Sequence, residues 1–153
     1  MKNLDVLKVW NDLKGSKFGK MTGDGKIKFV KIIAKLTPVM DAYDKYRETI
    51  VTKLQEEHEG FSDKMAVAQA YEKWKQNGEG EQPKMTEQEY QDFVKEVIEY
   101  NSAVNKALED KGNEEVDVTL DKLTSSEFGC FLDSNDFTAE QAMALGNVMC
   151  AFE

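Results

Sequence analysis

The sequence predicts a mainly α protein: a long antiparallel helical hairpin with short flanking helices and a minor β element. Three observations carry this expectation. Apolar residues recur at three- and four-residue steps through two long stretches. Only two prolines interrupt the 153 residues. Thr86/Glu89, Thr124/Glu127 and Thr138/Gln141 each follow a break in the apolar pattern with the capping-box signature of a helix start. The length predicts a single domain, 1–153, large enough for a hydrophobic core.

In chain order, Leu4, Leu7, Trp10 and Leu13 mark a short amphipathic helix over 3–13. Four glycines in KGSKFGKMTGDG then predict a loop or short hairpin. Ile33, Leu36, Met40, Tyr43, Ile50 and Leu54 define the first long helix, roughly 26–58. Pro38 lacks an N–H donor and clashes with the preceding turn, so a kink, or a fresh start capped by Thr37, is expected there. Ser62 caps a third helix to Asn77, with Met65, Ala68, Tyr71 and Trp74 on one face. QNGEGEQPK is a linker, and the Thr86/Glu89 box opens the second long helix, roughly 86–111, with Tyr90, Phe93, Val97, Ile98, Val104 and Leu108. Val116, Val118 and Leu120 alternate with polar residues as one strand, 115–120, expected to pair near Ile27 to Phe29. Thr124/Glu127 and Thr138/Gln141 start two short helices, and the apolar tail up to Phe152 is expected to dock into the core.

Charge divides the chain. Residues 1–36 hold nine lysines against three aspartates, a net of +6; the acidic helical body, 37–153, holds 11 basic and 26 acidic residues, a net of −15. Such polarity concerns partners and solubility rather than chemistry. The basic segment suits phosphate or an acidic partner surface, unless its lysines serve internally to balance the body.

Other motifs point away from catalysis. Asp24-Gly25-Lys26-Ile27-Lys28-Phe29 matches the centre of a calcium-binding loop, but Lys20 and Lys31 would then stand where the first and last carboxylates belong, and ammonium groups repel the ion. Asp133-Ser134-Asn135-Asp136 opens like such a loop, has Phe137 where a ligand is needed, and reads as a turn. The single histidine, His58, sits among Glu56, Glu57 and Glu59 on a helix end, where consecutive side chains diverge; a solvated acidic terminus is the simpler reading. Phosphate-binding loops, dinucleotide fingerprints and nucleophile elbows are absent from the sequence. No enzyme activity, metal or cofactor is therefore expected. Cys130 and Cys150 read as reduced thiols. No apolar run nears the roughly 20 residues that span a bilayer, and MKNLDVLKVW lacks a secretory pattern; a cytoplasmic protein without membrane contact is expected.

The order of segments IIAKLTPVMDAYDKYRETIVTKL, YQDFVKEVIEYNSAVNKALED, EEVDVTLDKLTSSEFGCFL and FTAEQAMALGNVMCAF, over residues 20–152, resembles a family of small proteins of unknown function from tailed phages and prophages. The resemblance is one of pattern: a Lys-rich start, an "aYdkYre" helix and a β-like segment before the last helices. It implies a phage-encoded, non-enzymatic protein in the bacterial host cell or in the virion. The reading is a small protein-binding module that inhibits or adapts a host or defence protein. Its expected contacts are Lys17, Lys20, Lys26, Lys28, Lys31 and Lys35, with Tyr43, Tyr46 and Arg47 on the exposed side of the hairpin. The alternatives are a virion or tail-assembly component acting as a homo-oligomer, and an acidic mimic of nucleic acid built on the carboxylates from Glu79 to Asp121. Direct nucleic-acid binding is disfavoured by the acidic body.

Overall fold

A computed structural model describes residues 1–152. The chain is mainly helical: α1 (Asn3–Lys14), α2 (Gly23–Glu56), α3 (Phe61–Asn77), α4 (Glu87–Asn113), α5 (Ser125–Asp133) and α6 (Ala139–Met149). Among the described residues no helix is long and apolar enough to cross a membrane. Backbone contacts divide the chain into two compact units, Met1–Lys45 with Asp110–Glu153, and Tyr46–Glu109.

In the first unit the expected stripe on α1 is rotated. Val6, Val9 and Leu13 are buried while Leu4 is exposed. Apolar residues stand at adjacent positions on this short helix, so two stripes of helical period fit it and packing selects one. The stripe on α2 begins earlier than expected, with Phe29 and Ile32 ahead of Leu36, Met40 and Tyr43. Helix α2 runs unbroken through Pro38, which excludes a fresh start at Thr37. The Thr37 hydroxyl instead donates to the Ile33 carbonyl at 2.8 Å, the back-bond expected of a threonine inside a helix.

The expected strand does not form. Ile27 to Phe29 lie within α2, and residues 116–122 carry no ladder. Glu115 makes a single antiparallel bridge to Lys2, and the N-terminal residues take its backbone partners: the Asn3 N–H donates to Glu114 O and the Val116 N–H to Met1 O. Val116, Val118 and Leu120 keep an alternating half-buried pattern without a partner strand. Both short helices start as expected, Thr124 accepting from the Glu127 N–H and Thr138 from the Gln141 N–H. The tail after α6 pairs with Leu123 through Leu123 N–H to Met149 O and Ala151 N–H to Leu123 O. Phe152 itself is 63 % exposed rather than buried. Its ring lies over Gly146, where a Cβ would come within 2.6 Å of it.

Aromatic rings hold this unit together. Phe131 is fully buried and meets Phe29 at 5.3 Å, Phe137 at 5.7 Å and Phe128 at 6.0 Å between centroids.

The second unit packs Phe61, Ala68, Tyr71, Met85, Phe93 and Tyr100 into one cluster, flanked by Leu54, Met65, Trp74 and Val97. Gly60, not Ser62, stands at the N-cap of α3, with φ +66°; an L side chain is strained in that conformation. Thr86 caps α4, accepting from the Glu89 N–H at 3.1 Å. Glu87, beside it, accepts from the Tyr71 hydroxyl at 2.6 Å and from Lys75 Nζ at 2.8 Å. Those donors, Lys75 foremost, hold its carboxyl at about 2.

Truncating the central ring, Phe131→Ala, is expected to cost about 3–5 kcal/mol in urea unfolding. A loss below about 1 kcal/mol would show that the ring is not central to the packing. Glu87 has its own pH signature. Its folded-state pKa lies below the ordinary 4.5, so its contribution is complete above that value and is lost as pH falls toward 2. Glu87→Gln should lower the unfolding midpoint at pH 7, and the gap to wild type should close between pH 4.5 and 2; a pH-independent gap would contradict the assignment.

Candidate protein-binding surface

From Leu13 to Met40 the sequence holds seven lysines and one acid, Asp24. These residues belong to the end of α1, the connecting loop and the first half of α2. The loop is held open across the surface by the segment that looked like a calcium-loop opening. Asn135 pairs its side-chain amide with both sides of Lys17: the Lys17 N–H donates to Oδ1 at 2.7 Å, and Nδ2 donates to the Lys17 carbonyl at 2.7 Å. Nδ2 also donates to Phe131 O at 2.8 Å. Ser134 Oγ accepts from the Lys20 N–H at 3.0 Å and donates to Cys130 O. Asp133 to Asp136 is thus the turn that was expected, and its polar side chains bind backbone.

The loop and α2 border an open groove of about 390 Å³ lined by Leu13, Lys14, Ser16, Phe18, Phe29, Val30, Ile33 and Ala34. Its wall is anchored in the core, since the Phe18 ring packs tilted against Phe29 at 5.3 Å and Phe29 likewise against Phe131. Its outer side is apolar: Phe18 is 39 %, Val30 53 % and Ile27 56 % exposed.

The nine residues expected to bind a partner fall into three groups. Lys28 is half-buried and pairs with Glu127 at 3.0 Å. That carboxylate also accepts from the Thr124 N–H, and the backbone bond, then Lys28, lowers its pKa; Lys28 is raised in turn by the hydrogen bond to Glu127. Lys35 Nζ donates to the Thr119 carbonyl at 2.6 Å. These two lysines serve the fold. Lys17, Lys20, Lys26 and Lys31, together with Lys14, form no ion pair among the described residues. Tyr43 is 8 % exposed and belongs to the core stripe of α2, which corrects its placement on an exposed side. Tyr46 is half-buried and Arg47 exposed; both lie past the boundary of the first unit.

The apolar members of the surface, Phe18, Ile27 and Val30, were missed. Only their spacing against the buried stripe could have marked them: Ile27 and Val30 lie on the side of the helix away from Phe29 and Ile32 and cannot share its core face.

Elsewhere the titratable groups make local pairs. His58 Nδ1 lies 3.0 Å from Glu96 Oε1, and its ring packs edge-on against Tyr100. It is therefore half-buried and paired, not a solvated helix end. Asp24 and Gly25 lie in the first turn of α2, so the calcium-loop match is helix. Among the described residues no group of three His, Cys, Asp or Glu side chains could hold a metal ion. Both cysteines are free thiols, and burial pushes the Cys150 thiol up. No family model matches the chain, and neither a curated protein nor a solved structure matches it.

Asn135→Ala is expected to cost about 1–3 kcal/mol, because two Lys17 backbone groups and the Phe131 carbonyl lose their partner together. Trypsin should then cleave after Lys17 and Lys20 sooner than in wild type. Asn135→Asp should be worse, since a carboxylate cannot donate to two carbonyls. Cleavage of the loop at the wild-type rate in both variants would show that the amide does not hold it.

Proposed function

We propose that the protein is a non-enzymatic, phage-type binding module, an inhibitor or adaptor of a host or defence protein, docking through the lysine-rich apolar face of residues 13–35. One observation supports the reading above others: Lys14 lines a largely apolar groove, and Lys17, Lys20, Lys26 and Lys31, on the same loop and helix, form no ion pair among the described residues, in a chain whose net charge is −9. Acids are abundant, yet among the described residues only Glu127 pairs with a lysine of this face. A cation left unneutralised beside exposed Phe18 and Val30 suits a partner that brings both acid and apolar surface. The phage assignment rests on the pattern resemblance of residues 20–152. The scaffold in this reading is the long-helix hairpin expected from the sequence, and the place of action is the host cytoplasm or the virion.

Affinity capture from host lysate tests the reading when wild type is compared with Val30→Asp and with Met143→Asp. Val30 lies on the proposed face, whereas Met143, 69 % exposed, lies on α6. The expected result is one protein retained at stoichiometric level by wild type and Met143→Asp and lost from Val30→Asp. Retention by Val30→Asp at wild-type level would refute docking through this face.

A further inference from the structure

We propose that the occupant of the α1–α2 groove is an acidic amphipathic helix of the partner protein, an assignment that rests on the docking reading above. Two features of the face select this chemistry. The first is charge: Lys14 lines the groove, Lys26 and Lys31 flank Val30 on α2, and Asp24 is the sole acid between Leu13 and Met40. Lys14 also lies over the Trp10 ring at 5.7 Å and Lys26 is half-buried, but none of the three forms an ion pair among the described residues, and cations without a carboxylate partner are complementary to carboxylates on the incoming surface.

The second feature is the length and grain of the apolar strip. Ile27, Val30 and Ala34 stand at i, i+3 and i+7 on one face of α2, and all three are exposed. At 1.5 Å per residue that stripe is about 10 Å long. It matches a partner helix carrying large apolar residues at i, i+3 or i+4, and i+7, the usual anchors of a helix laid in a groove. One anchor enters between Phe18 and Val30, and the next lies over Ile27. Acids on the flanks of that helix then face Lys14 on one side and the α2 lysines on the other. A phosphate backbone would use the lysines and leave the apolar strip wet. A purely apolar helix would leave the lysines uncompensated beside the interface.

The test measures binding of a fluorescent stapled peptide of about 18 residues, with leucines at i, i+3, i+4 and i+7 and glutamates elsewhere. Its control has the same composition with the leucines dispersed around the helix. The helical peptide should bind at least about tenfold more tightly than the control, and about tenfold more weakly to Val30→Asp and to the Lys14→Glu/Lys31→Glu variant. Affinity should fall with added NaCl. Circular dichroism of each variant should overlay that of wild type, which excludes misfolding as the cause. Equal binding of the two peptides would overturn the assignment. Val30-dependent binding of oligothymidylate or of laurate in preference to the peptide would overturn it too, as would a dimer of the protein dispersed by Val30→Asp. If Val30→Asp still loses the captured host protein while the peptides are not distinguished, only the occupant is wrong; if it keeps that protein, the docking face is wrong as well.

Discussion

The placement of the lysine-rich segment depends on one side-chain amide. Residues 15–22 form no helix and carry no ladder, and ordering such a loop costs about 1–2 kcal/mol per residue in backbone entropy. Asn135 counters that cost where the loop has no structure of its own, by closing a two-sided hydrogen-bonded pair with Lys17. Ser134 repeats the contact at Lys20, and Phe18 inserts against Phe29. The loop then meets α2 at a defined place, and an open groove lies between them. The end of α5 is therefore what shapes the face, although it contributes no residue to the groove lining.

Electrostatics gives the face its direction. Pairing an exposed lysine with a surface carboxylate yields only about 0–1 kcal/mol, so leaving five of them unpaired costs folding little. In the proposed docking their effect would fall on association, where a summed field raises encounter rates and penalises partners of the same sign. Lys28 shows the contrast. Half-buried, it bonds to Glu127 and so links α2 to α5, and that carboxylate already caps α5 through Thr124. One lysine in the set is thus structural, and a second, Lys35, is tied to the Thr119 carbonyl. Of the remainder, Lys14, Lys17, Lys20 and Lys31 are exposed and Lys26 is half-buried.

Much of the helix plan was legible in the sequence, because capping and breaking are local chemistry. The Thr86, Thr124 and Thr138 boxes start their helices where side-chain oxygens meet backbone N–H groups, and the glycine- and proline-bearing linker separates α3 from α4. Three features were not legible. A continuous helix through Pro38 depends on the turns on either side outweighing one lost hydrogen bond. The segment from Val116 to Leu120 has the alternation of a strand, but alternation reports half-burial and a ladder needs a free partner; the nearest backbone is the chain's own first three residues. The site was half legible. A run of lysines shows in any reading, whereas which of them are engaged depends on Glu127 and Thr119, about a hundred residues away. Tyr43 and His58 illustrate the same limit, each having its environment set by residues remote in sequence or by the far side of its helix.

The most direct measurement is photo-crosslinking in cells that express the protein, with a benzophenone side chain introduced at position 30 and, as the comparison, at position 143. The account predicts a crosslink from position 30 to a single protein that carries an acid-rich segment, suppressed when Lys14 and Lys31 are reversed in charge, and none from position 143. A crosslink from position 143 with none from position 30 would contradict it, and would move the working surface from the lysine-rich face to α6.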